Sequence, residues 1–406
     1  MSCHPRVPAW TTIIHTRLPH VTKPQATVLA LWSLGMVLAR SCALTAVSVC
    51  LATWLHRKED AVRQQLRECC YEATAKRGSA RQALVVETCC VPWLAWVVDH
   101  WEGTPWALAL DATTLGSRLT VVALSVVYRG CAIPVAWTVL AATATHAWRR
   151  AWLRLLRQGR RAIPRAWTVL VLADRGLDAR WLLRRITRLG WHPFWRINTG
   201  GTFRPTGQVR GVPLKTLVPE PGTPWQGTGI ACKGRHRQLH CTLLAWWEAG
   251  DTDPWLLVTD LPPEASTAWW YGLRAWIEQG FKITKRAGWQ WQRTHMTQPE
   301  RAARLWLAVA VATLWLRSVG GEADETIPAS TVLDVTALLP QPARTRRATR
   351  LRVVHVFRRG WTLILVALLE QTPLPMGRFV PEPWPAVPGL EEETASLPGL
   401  VLPQAA

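Results

Sequence analysis

The sequence has no Cys-x2-Cys pair, and its ten cysteines follow no regular framework. Cys69-Cys70 and Cys89-Cys90 are adjacent doublets, a spacing poorly suited to zinc. Reduced, mostly buried thiols in a cytosolic protein are the expectation. Cys232, His236, His240 and Cys241 have a loosely metal-like spacing, but Lys233, Arg235 and Arg237 lie among them, so zinc stays open there. The start, MSCHPRVPAW, has no h-region and no cleavage site, which argues against secretion. One apolar stretch needs a membrane test, and its two runs of about fifteen residues are each short of the roughly 20 that a spanning helix needs. The strongest stretch, residues 26–55, is cut at Arg40-Ser41 and reads as two buried helices with a turn near Arg40 to Thr45. No membrane is expected. Acid is scarce as well, with 27 Asp+Glu against 48 Lys+Arg and a formal net charge of +21.

A chain of 406 residues that is 49% hydrophobic can build a large core, so the positive excess belongs on a solvated surface. Such a surface fits a polyanion, and Arg, the more abundant cation here, is the better fork for phosphate oxygens. Most of the 27 tryptophans must be core, because large aromatics dominate burial; a minority near basic residues suit stacking on unpaired bases.

Residues 1–100 read as helices at 26–39, 45–55, 57–77 and 80–100. The spacing around Arg40 to Thr45 would suit a helix–turn–helix, or an ordinary helical hairpin. From Trp106 the pattern changes to three strands, 106–110, 119–128 and 131–140, joined by tight turns. A basic amphipathic helix is expected over 146–160, then a fully apolar strand at 167–173, a helix at 177–189 and a fifth strand at 191–197. Residues 199–262 are rich in Gly, Pro and Thr, with β-like runs at 228–232, 238–248 and 255–259. Further helices are expected at 298–318 and 361–369. A basic run spans 344–359, and a Pro-rich end from Pro373 is expected to be disordered.

The chemistry concentrates between Tyr271 and Lys285, where YGLRAWIEQGFKITK gives a Tyr-x2-Arg-x3-Glu-x6-Lys array. On an α-helix Tyr271, Arg274, Glu278 and Lys285 fall within roughly 60° of one another, one carboxylate among a phenol and two cations. Such a stripe suits an acid working at a phosphodiester. If the first and fourth strands pair, Asp111 and Asp174 at their ends become neighbours although 63 positions separate them. Asp111, Asp174 and Glu278 then form a candidate triad for two Mg²⁺ ions. Taken singly, the two aspartates also suit turn or helix caps and Glu278 a surface acid. Asp178 and Asp260 are the competitors, with Asp260 the fallback. Arg149, Arg150, Arg154, Arg157 and the run from Arg344 to Arg359 suit phosphate contacts or simply solvated faces.

The strand bearing Asp111, the strand leading to Asp174-Arg175-Gly176 and the Tyr271/Arg274/Glu278/Lys285 array resemble the DDE transposases of bacterial insertion sequences. The resemblance covers about residues 100–320 and is narrowest to the subgroup with this array and a β insertion before the catalytic Glu. It implies an α/β fold, an RNase H-like mixed sheet flanked by helices. Domains are then expected at 1–100 (helical, DNA-binding), 101–198 (catalytic core, first part), 199–262 (β insertion), 263–320 (Glu-bearing helix) and 321–406 (basic and Pro-rich region). It further implies Mg²⁺ (two ions, with Mn²⁺ as a substitute) on Asp111, Asp174 and Glu278, and phosphate contacts from Tyr271, Arg274 and Lys285. The implied reaction is cut-and-paste transposition by a homodimer on terminal inverted repeats and target DNA, through a hairpin intermediate. A bacterial cytoplasmic, nucleoid-associated location goes with it. A tryptophan of the insertion would stack on a flipped base, with Trp225, Trp246, Trp247 and Trp255 as candidates and Trp289 and Trp291 just beyond. An RNase H-like nuclease that cuts without joining, and an inactive or domesticated DNA-binding relative, are the alternatives.

Overall fold

A computed structural model describes residues 5–76, 82–144, 147–177, 179–231, 238–326 and 355–384. The chain divides into two compact units. The first comprises Met1–Arg196, Arg274–Pro328 and Val354–Pro381; the second comprises Ile197–Leu273, Ala329–Val353 and Glu382–Ala406.

Among the described residues of the first unit, five α-helices precede the sheet: α1 (Arg6–Arg17), α2 (Lys23–Ala39), α3 (Leu44–Leu55), α4 (Glu59–Cys69) and α5 (Val86–Asp99). Thr22 and Gln25 close a capping box at the start of α2, each side chain taking the other's backbone N–H. α2 ends where Arg40 adopts a left-handed conformation, and α3 leaves at 94°, so the apolar stretch is a bent pair. The charged helix expected over 57–77 is shorter. α4 stops at Cys69 and a 3-10 turn follows at Ala73–Ala75.

The first-unit sheet runs β3-β2-β1-β4-β5, from β1 (Trp106–Leu115), β2 (Leu119–Tyr128), β3 (Cys131–Ala141), β4 (Val169–Ala173) and β5 (His192–Arg196). The first three strands form an antiparallel meander, whereas β4 runs parallel to β1 and β5 parallel to β4. The mixture follows from the connections. A two-residue loop joins β2 to β3, with Arg129 (φ 42°) and Gly130 (φ 76°) both left-handed, as a tight hairpin requires. By contrast α6 (Trp148–Ala162) and α7 (Arg180–Thr187) carry the chain across before β4 and β5. Every residue of β2 and β4 is buried.

The core is tryptophan-rich. Trp10 stacks on Trp315 at 4.5 Å and donates to Ser33 Oγ. Trp289 and Trp291 are also fully buried: Trp289 donates to Thr313, and Trp291 meets Trp306 edge to face. α9 (Pro299–Thr326) is long and apolar enough to cross a membrane, and its apolar window is 94% buried within the protein. α10 (Val356–Leu369) packs on it. Arg129 emerges from its turn into the core, where it pairs with Asp324 at 2.9 Å and with Glu325, and donates to the Val380 carbonyl. The Pro-rich end is not wholly irregular, since Phe379 packs on Trp101 and Tyr128. Buried aromatic area at one residue fixes a segment whose composition alone reads as disordered.

The second unit holds an antiparallel sheet in the order β10-β9-β8-β6-β7. Its strands are β6 (Thr202–Pro205), β7 (Val212–Pro213), β8 (Trp225–Ala231), β9 (Leu239–Trp246) and β10 (Trp255–Thr259). The mainly β character expected of residues 199–262 is thus present, with two short extra strands that Gly and Pro obscured.

Candidate active site

Asp111 does not end its strand. β1 continues to Leu115 because β2 pairs with it as far as Leu115↔Leu119. The parallel partner stops earlier: Leu110↔Ala173 is the last β1–β4 pair, and Asp174 is the residue after β4. Asp111 therefore lies where β4 leaves the sheet. Asp174 follows at the carboxyl end of β4, where open α/β sheets present their functional groups. Each aspartate accepts the next residue's amide at 2.7 Å, Asp111 from Ala112 and Asp174 from Arg175, which fixes the carboxylates locally.

The segment from Tyr271 to Lys285 is not one α-helix. A 3-10 segment (Ala268–Arg274) leads into α8 (Ala275–Lys282), and a π-turn (Ile283–Ala287) follows. The turns change width along the segment, so the constant 100° per residue behind the expected stripe does not hold. Tyr271 is buried in the second unit, its ring edge-on to Trp255 at 5.4 Å. Arg274 is the N-cap residue of α8, and Glu278 sits in the first turn. α8 lies close on the first-unit sheet: a Cβ on Gly280 would stand 3.1 Å from the Ala132 carbonyl oxygen. This close seat carries Glu278 to the sheet.

One guanidinium joins the three acids. Arg274 Nη2 lies 3.0 Å from Asp111 Oδ2 and 3.5 Å from Asp174 Oδ2, while Nη1 pairs with Glu278. The Arg274 side chain is 13% exposed, against 49% for Glu278, so the cation is the more enclosed of the two. Burial pushes the Asp111 carboxyl above the ordinary range. Arg274 and the Ala112 amide pull it down, whereas the charges of Asp174 and Glu278 push it up. Lys285 also senses the cluster: burial and Arg286 lower its pKa, and the negative charge of Asp111 opposes them.

Three carboxylates on one cation are an oxygen donor set of the kind that hard divalent cations prefer. The guanidinium marks where positive charge is drawn. As they stand, the acids are spread around its fork, and no group of three His, Cys, Asp or Glu among the described residues is disposed to hold a metal. What fits a divalent ion is the donor chemistry, three carboxylates that meet at one guanidinium.

Asp178 and the Cys232/His236 half of the zinc candidate lie outside the described residues; His240 and Cys241 are on β9. Asp260 follows β10 in the second unit. On α6, Arg154 pairs with Glu87 and Arg149 covers the Trp181 ring at 5.1 Å, while Arg150 and Arg157 are exposed. Residues 344–354 of the basic run are outside the described residues, and Arg359 lies 3.8 Å from Asp324. The role of Arg274 as the clamp on all three acids was not legible, since its spacing marks only a helix neighbour of Glu278.

The first-unit sheet thus carries two acids where β1 and β4 part, and a packed helix brings a third to the same guanidinium. The transposase DDE domain matches residues 103–315, just over half of the chain, and the protein belongs to that family. No match was found among curated proteins. Among solved structures, a piggyBac transposase synaptic complex with hairpin DNA is similar at 9% identity over 86% of this chain and 85% of that one. Its TM-score of 0.36 is too low to bear on fold or function.

Proposed function

We propose that this protein is a cut-and-paste DNA transposase of the insertion-sequence type, with an RNase H-like catalytic domain and Asp111, Asp174 and Glu278 as its metal ligands. The observation that carries the reading is the gathering of these three acids, distant in sequence, around Arg274. Bound Mg²⁺ or Mn²⁺, as a pair of ions, would lower the pKa of the attacking water or 3′-hydroxyl and offset charge on the leaving oxygen.

The protein's own groups do the rest. Asp111 is held by the Ala112 amide and Asp174 by the Arg175 amide, so both keep a fixed lone-pair direction. Arg274 balances the acids before a cation arrives, and its fork suits the phosphate beside the scissile bond once displaced. Lys285, close enough to feel Asp111, adds a point charge for the same strand. Tyr271 is assigned a phosphate contact through its hydroxyl, the ring being held by Trp255.

A hairpin intermediate needs an extrahelical base to be held, and base–aromatic stacking supplies roughly 1–3 kcal/mol. Trp289 and Trp291 are core residues and are set aside. Trp255 is buried against Tyr271, leaving the partly exposed Trp225, Trp246 and Trp247 of the second unit. DNA ends and target DNA are the partners, and a homodimer bringing two ends together is the working assembly.

The test uses a donor plasmid carrying the DNA ends that flank the coding sequence, a recipient plasmid and Mg²⁺. Excision and joined products support the proposal. Cutting without joining would leave a nuclease, and binding without cutting a DNA-binding relative.

A further inference from the structure

A second charged site lies within the first unit, and it is the inverse of the acid cluster. A cleft of about 480 Å³ opens between the α3–α4 region and the segment leading into α9. Its walls carry Arg63 and Arg67 from α4, Arg293 and His295 from the connecting segment, and Arg301 from α9. No Asp or Glu lines it among the described residues. Asp60 borders an adjoining hollow with Arg63 and Arg67, yet none of the four arginines forms an ion pair among the described residues.

The walls are fixed rather than loose. Arg67 and Arg301 both lie on the Tyr71 ring, at 5.6 and 4.6 Å from its centroid. Next along α9, Arg304 donates to the Leu84 and Cys70 carbonyls and pairs with Glu72, tying the helix to the chain beyond α4. The 12-residue α3 and the 28-residue α9 also begin at the cleft, adding the positive ends of two helix dipoles. Like charges gathered with no acid between them repel, and a bound polyanion relieves that repulsion.

We propose that this cleft is a phosphate-binding site that accepts at least two phosphate groups at once. The volume exceeds what a single phosphate fills and lies in the range of nucleotide-sized pockets. A phosphodiester backbone and a free polyphosphate share the required chemistry. The site shares no residue with the acid cluster and would stand even if the cleavage chemistry proposed above failed.

The experiment uses the full chain with EDTA present, so that no cleavage occurs. The variant is Arg63→Gln/Arg293→Gln, two exposed positions whose replacement leaves the packed walls intact. Two probes are applied: a labelled DNA of arbitrary sequence, titrated at several salt concentrations, and sodium tripolyphosphate, followed by the thermal midpoint. Loss of two phosphate contacts flattens the slope of log affinity against log salt by about 1.8. The Arg63→Lys/Arg293→Lys variant, which keeps the charges, should retain most of the slope. A flattened slope assigns the cleft to DNA. An unchanged slope, with tripolyphosphate raising the midpoint of the wild type but not of the Gln variant, assigns it to free polyphosphate. If neither signal differs between wild type and Gln variant, or if the Lys variant loses as much slope as the Gln variant, the proposal is overturned.

Discussion

The acid cluster and the arginine cleft occupy the same compact unit and treat charge in opposite ways. At the sheet end, three carboxylates are gathered and the chain supplies a cation, Arg274, to hold them. In the cleft, four arginines are gathered and none has an acidic partner among the described residues. A site that carries its own counter-charge must exchange it to work, whereas one without a counter-charge is ready for its ligand. Activity at the first should therefore depend on displacing Arg274, and binding at the second only on the number of charges present.

The largest effect expected is on cleavage. Asp111→Asn removes the charge of a proposed ligand at the most enclosed of the three acids and should slow end cleavage at least a hundredfold, about 3 kcal/mol of barrier. The cleft arginines should leave the cutting rate on saturating DNA unchanged. Similar rate losses at both places would break the contrast.

Arg129 supplies the next comparison, an arginine whose pairing is structural. Asp324→Ala leaves that guanidinium buried without one of its acids and should destabilise the protein by about 3–5 kcal/mol. Arg63→Gln, at an exposed position with no ion pair among the described residues, should shift stability by no more than about 0.5 kcal/mol. Chemical denaturation of the two variants side by side checks both figures.

A smaller effect should appear at Arg274. Arg274→Gln takes a positive charge from among the acids, so Mn²⁺ should bind more tightly without DNA, by about tenfold or 1.4 kcal/mol. Calorimetric titration reads this directly. Weaker Mn²⁺ binding in the variant would mean that Arg274 supports the metal site rather than competing with it.

Thiol reactivity gives the smallest signal. Burial pushes the Cys42 thiol up to about 12 and that of Cys69 to about 11, so at pH 8 almost none of either is thiolate. Native protein should label slowly at both positions. Fast labelling would show that the helices around the cleft open readily.

Much of this was legible in the sequence, for reasons that differ from element to element. The β2 and β4 runs are continuously apolar, and such runs leave little choice but a sheet covered on both faces. The pairing of β1 with β4 followed from the order of strands and crossovers. The limits of β1 were not legible, because Asp111 reads as a strand end. The strand continues past it on the strength of β2 alone, a tertiary contact. The uniform α-helix expected from Tyr271 to Lys285 is not found, since the segment changes from 3-10 to α to π along its length. The cleft was hidden for a simpler reason. Arg63 and Arg67 are ordinary surface spacing on a helix until Arg293 and Arg301, more than two hundred residues later, are folded opposite them.

The central claim is that Asp111, Asp174 and Glu278 together cut DNA. It is tested most directly by comparing wild type and Glu278→Gln for Mg²⁺-dependent cleavage of the DNA ends flanking the coding sequence. Both proteins should first be shown to bind those ends equally. The expected result is cleavage by the wild type that disappears with EDTA and falls at least about a hundredfold in the variant. Full cleavage by Glu278→Gln would contradict the assignment.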